Sequence, residues 1–385
     1  MGGALSGLKV LDLTMNLPGP YLTWLMAGLG AEVVKVENPS GGDYARALRG
    51  SGGRSPFFDA VNRNKKSLAL DLKHPRGREV FLELLRAYDV VVEGFRPGVM
   101  QRLGLDYQAL AAVQPRVILV SISGYGQQGP FQQRAGHDIN YLAQAGVLAM
   151  TGARDGQLAV PGVQIADLAG GSLLGLVGLL AAVVQRQATG QGQFVDASMF
   201  DGSLSLATMV FAGVEAGLGD PRPAGMVLNG AFPCYNLYRT ADGRYMSLGA
   251  LEPKFWINFC QALGRDDLLG HQFGGPDKVE AVAAIFAGRT RDEWAAFWAG
   301  HDACCEPVLN LSEAAASRLT EARGMIRRDH KGRRQLANPL KLSASPLAAD
   351  QPAPALGQHS DEVLSAAGLS PATIRELRQQ GLLAG

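Results

Sequence analysis

Charge is scarce in this 385-residue chain: Asp, Glu, Lys and Arg make up 18% of it, against about 25% in an average globular domain. Apolar residues reach 47%, which excludes a disordered chain, since disorder needs many charges and few large apolar groups. The 36 basic side chains nearly cancel the 35 acidic ones, leaving +1. No overall field is then available to hold a nucleic acid, and any anionic ligand must meet a local basic cluster. Cysteine is equally sparse. Cys234, Cys260, Cys304 and Cys305 are too few for a disulfide framework at this length and lack the paired C-x2-C spacing of a zinc site. Reduced thiols are expected, and no metal. No G-x-G-x-x-G opens the first helix, and no G-x-x-x-x-G-K-[ST] occurs, which sets aside NAD binding and nucleotide hydrolysis. There is no G-x-S-x-G elbow, no H-E-x-x-H and no aspartate-rich calcium loop. Nor does any stretch alternate basic with aromatic residues as a nucleic-acid surface does.

The N-terminus, MGGALSGLKVLDLT, has no basic segment followed by a long apolar one, so a cytoplasmic location is expected. Leu168 to Gln185 carries no charge and approaches the ~18 residues of a spanning helix. It follows Asp167 and contains four glycines. We read it as a helix buried in a large core, where all-round apolarity is equally at home, and expect no membrane association.

What is present is an alternation of strand and helix patterns. Lys9–Thr14, Val33–Glu37, Ser67–Leu72, Val90–Phe95 and Val117–Ser123 read as strands. Tyr21–Leu29 and Pro75–Tyr88 read as helices, the second opened by proline where no backbone donor is needed. Strands separated by helices argue an α/β fold with a parallel, doubly wound sheet. We assign 1–200 to this large domain and 201–224 to a linker helix. From about Gly225 the pattern changes to a hairpin around Asp242-Gly243 and three helical stretches, a smaller α+β domain over 225–325. Four prolines in 338–357 mark 326–357 as an extended linker, and 358–385 ends the chain with a short helix.

Three residues invite a chemical reading. Asp167 precedes the long apolar helix, where it reads either as an N-cap or as a group at an anion-stabilising helix start. In the second case Gly170 and Gly171 clear space for a ligand, and the free amides of 167–171 face a developing oxyanion. Of six histidines, His137 alone lies in a loop shortly after a strand, the one ending Gly124-Tyr-Gly126, in Ala135-Gly-His-Asp-Ile-Asn-Tyr141, where open α/β sheets bind ligands. It reads as structural or as a proton-exchanging group, which imidazoles are near neutral pH. Glu252, before Pro253, reads as a helix-start carboxylate or as a partner for a histidine. For an anion the basic candidates are Arg63, Lys65 and Lys66, then Arg96 and Arg102, with Arg96 favoured because it follows a buried strand.

Taken in order, several strings are similar to the family III CoA-transferase superfamily, which includes α-methylacyl-CoA racemases and formyl-CoA transferases. They are LSGLKVLDLT with its Pro-Gly-Pro, LGAEVVKVE, NRNKKSLALDLK, EGFRPGVMQRLGLDY, SGYGQQGP, GHDINYLAQAG, ATGQGQFVDASMFDG, LYRTADGRYMSLGALEPKFW and PALGQHSDEVL. The resemblance implies a Rossmann-like large domain built from both chain ends, with the small domain between them, in an interlocked homodimer. It implies an acyl-CoA thioester as substrate and no required cofactor. By resemblance Asp167 is the acid that exchanges a proton in racemases and becomes acylated in transferases. His137 is its counterpart in the racemases, and Glu252 assists the histidine. Asn16, Leu72, Lys73, Gly94, Arg96, Arg102 and Tyr235 fall at positions that hold CoA or substrate. GHDINY together with GALEPKFW favours the racemase branch. Asn38, where related racemases often place an arginine, and Asn229–Pro233, in place of a Gly-Gly-Ala-Pro loop, depart from the pattern.

Overall fold

The computed structural model describes residues 2–48, 50 and 53–385. The chain divides into two compact units, one of residues 1–145, 163–206 and 324–385, the other of 146–162 and 207–323.

The first unit is α/β. Its strands are β1 (Lys9–Asp12), β2 (Glu32–Glu37), β3 (Lys66–Leu70), β4 (Val90–Glu93), β5 (Ile118–Ser123) and β6 (Phe194–Ser198). All pair in parallel, in the order β3-β2-β1-β4-β5-β6, and the last strand, Leu383–Ala384, adds antiparallel to β3. β-Branched runs such as Val90-Val-Val92 are buried on both faces, as parallel strands covered by helices on either side must be. One face packs Leu11, Val34, Leu68 and Val91 against Phe81 and Leu84 of the helix Pro75–Leu85 and against Ile374 and Leu377 near the C-terminus. Both chain ends therefore build one sheet. Because the connections from β1 run outward in both directions, a crevice opens at the carboxyl ends of β1 and β4, the place where such sheets bind ligands.

Within 326–357, read from sequence as extended linker, Ile326–Arg328 and Arg334–Leu336 pair as an antiparallel hairpin. The apolar run forms one continuous helix over Ala166–Thr189, long and apolar enough to cross a membrane by length and composition. Its expected burial is only partial. Val177 and Val184 stand 61% and 66% exposed, because one side of the helix packs on β5 and β6 and the other carries valine and leucine outward.

The second unit holds an antiparallel sheet of β7 (Tyr235–Arg239), β8 (Tyr245–Gly249) and β9 (Cys305–Pro307). Its core is aromatic: Trp256, Phe259 and Trp298 stack, with Phe286 and Tyr238 beside them. The segment 146–162 joins it through Arg154, whose guanidinium donates to the carbonyls of Gly230 and Ala231. The four cysteines are free, three of them buried.

Candidate active site

The strand ends of the first unit enclose a cavity of 630 Å³, within the range that small-molecule sites occupy. Leu13 and Met15 follow β1, Asn38 and Asp43 follow β2, Leu72 and Lys73 follow β3, and Phe95 follows β4; all line it. Its floor is apolar, with Val36, Leu70, Val99 and Leu103, and its polar groups sit where the strands run out.

The loop after β1 is held from beneath by buried charge. Asp12 Oδ1 accepts from the Thr14 amide (2.9 Å) and hydroxyl (2.5 Å). Its Oδ2 accepts from Thr23 Oγ1 (2.6 Å) and Lys65 Nζ (3.1 Å). Lys35 Nζ donates to the Thr14 carbonyl (2.6 Å) and lies 3.0 Å from Asp43 Oδ2. Asp43 Oδ1 in turn accepts the Asn16 amide (3.0 Å), fixing that residue at φ 64°. Burial alone would raise the Asp12 carboxyl, but the Lys65 and Lys35 ammonium groups and two threonine hydroxyls override it and hold it well below the carboxylate range. Three basic residues suggested for anions from sequence are therefore corrected. Lys65 is spent on Asp12. Arg63 is buried and donates to the Leu336 carbonyl (2.6 Å). Lys66 pairs with Glu362 (2.9 Å).

Of the expected ligand residues, Leu72 and Lys73 line the cavity. Asn16, Gly94, Arg96 and Arg102 are exposed beside it in sequence, next to Met15, Phe95 and Leu103, which do line it. The Gly94–Arg96 turn is anchored by Glu93, whose Oε2 accepts the Phe95 amide (2.7 Å). Burial pushes the Glu93 carboxyl up to about 7. Sequence reading missed this acid, although a glutamate closing a Val-Val-Val strand is a visible signal.

Asp167 is not an N-cap. Ile165 before it is already helical, and Ala166–Leu173 is a π-helical segment that continues into the α-helix Leu174–Thr189; such wide turns concentrate at functional sites. The Asp167 amide donates to Asp138 Oδ1 (3.0 Å), and the Leu168 amide bonds the Gln164 carbonyl (3.0 Å). Those two amides are thus taken and are withdrawn as oxyanion donors. Gly170 and Gly171 serve packing, not ligand approach. A Cβ on Gly170 would lie 2.8 Å from the Met199 carbonyl oxygen, and one on Gly171 2.8 Å from Met199 Cγ.

Asp138 opens the helix Asp138–Gln144, and His137 is the residue just before it. The His137 amide donates to Asn140 Oδ1 (3.0 Å), and the Tyr141 hydroxyl donates to the Gly136 carbonyl (2.5 Å). The Tyr141 ring lies against Gly124 and Gly136, where a side chain would collide with it. The loop is thereby pinned on both sides of His137, whose side chain is exposed. Through Asp138, one residue away, it is joined to Asp167. Burial, then the neighbouring Asp138 charge, raises the half-buried Asp167 carboxyl from 3.8 to about 7. An acid so tuned both gives and takes protons at neutral pH.

Over residues 5–360 the sequence matches the family described as CoA-transferase family III. The chain belongs to that family. It is 35% identical to the α-methylacyl-CoA racemase of Homo sapiens over 385 residues, covering 99% of this chain and 97% of that protein. It is 33% identical to the formyl-CoA:oxalate CoA-transferase of Rhodopseudomonas palustris strain HaA2, covering 100% and 98%. A solved CaiB/BaiF family protein from Brucella suis superposes with a TM-score of 0.80 at 29% identity, over 95% of this chain and all of that one. The relatives of this chain are thus enzymes of the family III superfamily, racemases and CoA-transferases among them.

In the second unit Glu252 is the exposed residue preceding the helix Pro253–Ala262, with no hydrogen bond from its side chain to the helix start. Tyr235 is half-buried at the start of β7. Among the described residues no group of three or more His, Cys, Asp or Glu side chains is placed to hold a metal ion.

Proposed function

We propose that this family member racemises 2-methylacyl-CoA thioesters by 1,1-proton transfer through an enolate, using no cofactor. Asp167 and His137 are the two proton-exchanging groups in this reading. Glu252 keeps, by resemblance alone, the task of assisting the histidine. The observation that carries the proposal is Asp167, whose carboxyl is raised to about 7 and whose amide is held by Asp138, the residue next to His137. A carboxyl that is half protonated at pH 7 is suited to giving and taking protons. A nucleophile that must be acylated gains nothing from being protonated half the time.

The α-hydrogen of a thioester is a weak acid, and a positioned base contributes about 10²–10⁴-fold. The rest must come from donors to the enolate oxygen other than the amides of Asp167 and Leu168. We assign the nucleotide end of CoA to the cavity at the ends of β1–β4, with Leu72 and Lys73 on its wall. Arg96, Arg102, Asn16 and Gly94 lie at its rim, and Tyr235 keeps, by resemblance alone, a part in holding CoA or substrate. A second copy of the chain covers the exposed apolar side of Ala166–Thr189, giving a cytoplasmic homodimer without nucleic-acid or membrane partners.

Proton NMR of a 2-methylacyl-CoA in heavy water, with no acyl acceptor present, tests the reaction. Loss of the α-proton signal supports it; a signal that persists refutes it. Several relatives are CoA-transferases, and that similarity supports a second reading in which Asp167 is acylated. Hydroxylamine trapping of an acyl-aspartate with acceptor-dependent turnover would establish that reading instead.

A further inference from the structure

The hairpin Ile326–Leu336, IRRDHKGRRQL, carries five cationic side chains against one carboxylate, in a protein whose net charge is +1. Its pairing sets Arg328 directly opposite Arg334, and like charges facing across strands repel. Beside the hairpin lies a groove of 470 Å³ whose walls include Tyr21, Trp24, Arg63, Arg334, Leu336 and Pro339. It shares no lining residue with the cavity at the ends of β1–β4.

The local charges do not balance. Asp59 is bound by Arg54 (2.8 Å) and Asp329 by Arg333 (2.7 Å), while Asp350 is shared by Arg63 and Arg327, each at 3.4 Å. Three carboxylates thus answer four guanidinium groups. Among the described residues no carboxylate lies within ion-pair distance of Arg334. The Arg63 side chain is only 5% exposed, and its guanidinium sits 5.1 Å from the Trp24 ring. The Tyr21 and Trp24 rings meet at the groove with centres 5.4 Å and planes 51° apart, an aromatic corner. An aromatic corner answers an aromatic ligand body edge-on or tilted, and a surplus guanidinium answers an anion with its planar fork.

We propose that this groove binds a small ligand with an aromatic body and one anionic group, carboxylate or phosphate, held by Arg334 and packed against the Tyr21–Trp24 corner. The site is separate from the acyl-CoA site and does not depend on the reaction assigned above.

The full-length protein is titrated with benzoate and with adenosine monophosphate, followed by tryptophan fluorescence and calorimetry. Benzamide and adenosine serve as uncharged controls. The expected result is saturable binding of at least one anion, with neither control binding. Which anion binds separates a carboxylate source from a phosphate source. Arg334→Gln, a change at an exposed position, weakens binding about ten- to a hundredfold, the worth of a charge-assisted hydrogen bond. Trp24→Phe abolishes the fluorescence change while calorimetric binding persists, and Asp167→Asn leaves binding intact. Failure of both anions to saturate overturns the proposal, as does equal binding by Arg334→Gln. Binding seen only after dilution to monomer would assign the groove to a second copy of the chain and likewise overturn it.

Discussion

Replacing Asp138 by asparagine separates two things this residue does for Asp167. The side-chain oxygen that accepts the Asp167 amide at 3.0 Å is kept, while the negative charge that discourages a second carboxylate is removed. Burial is the larger cause of the rise of Asp167 from 3.8 to about 7, and Asp138 the smaller. Less than half of the rise can then depend on Asp138, so the variant's carboxyl drops by no more than about 1.5 pH units. The assay is the rate of α-proton exchange into a 2-methylacyl-CoA in heavy water, measured as kcat/KM from pH 5 to 9. The limb of the profile set by Asp167 moves toward acid in Asp138→Asn by a fraction of a unit to about 1.5. The maximal rate falls little, because the loop keeps its anchor. Asp138→Ala also loses the anchor, a hydrogen bond worth about 1 kcal/mol, and loses rate across the whole profile. An unmoved limb in Asp138→Asn, or a shift toward base, refutes the electrostatic account of Asp167.

Three further outcomes follow from burial and packing. Glu93 titrates near 4.5 when unfolded and about 7 when folded, so its buried charge erodes stability as pH rises from 4.5 to about 7. Glu93→Gln removes that erosion, roughly 3 kcal/mol at most, and flattens the Tm-against-pH curve over that window. Lys65→Met strands the buried Asp12 carboxylate without its nearest ammonium and costs about 3–5 kcal/mol in urea unfolding. Gly170→Ala drives a methyl to 2.8 Å from the Met199 carbonyl oxygen and costs about 1–3 kcal/mol. Gly213→Ala, where nothing lies within 4 Å, leaves the melting temperature unchanged or slightly raised.

The parallel sheet was legible because its strands are dense β-branched runs with helical periods between them, and five strands lie within a few residues of their expected ends. β6 was not read as a strand: Phe194-Val-Asp-Ala-Ser198 mixes an exposed edge with a polar residue that belongs to the sheet's rim. The buried lysines were illegible for a related reason. Lys35 in Val-Val-Lys-Val-Glu looks like an outward-facing residue of an alternating strand, and its burial is explained by Asp12, Asp43 and the Thr14 carbonyl, which only the fold brings to it. Asp167 was found, but its setting was misread. A carboxylate before an apolar run has the appearance of an N-cap, whereas the helix begins earlier and takes up the amides on which an oxyanion hole would rely. The partial exposure of Ala166–Thr189 had no sequence signal, since apolarity states what a surface prefers and not what covers it.

The central claim is that Asp167 and His137 serve opposite faces of one carbon atom, and separate enantiomers test it most directly. Each pure enantiomer of a 2-methylacyl-CoA is incubated in heavy water with wild-type protein, with Asp167→Asn and with His137→Ala, and deuterium uptake is followed from each. The account predicts exchange from both enantiomers in the wild type and no racemisation by either variant. It also predicts that each variant exchanges only one enantiomer, a different one in each case. Exchange of both enantiomers by His137→Ala at the wild-type rate would contradict it.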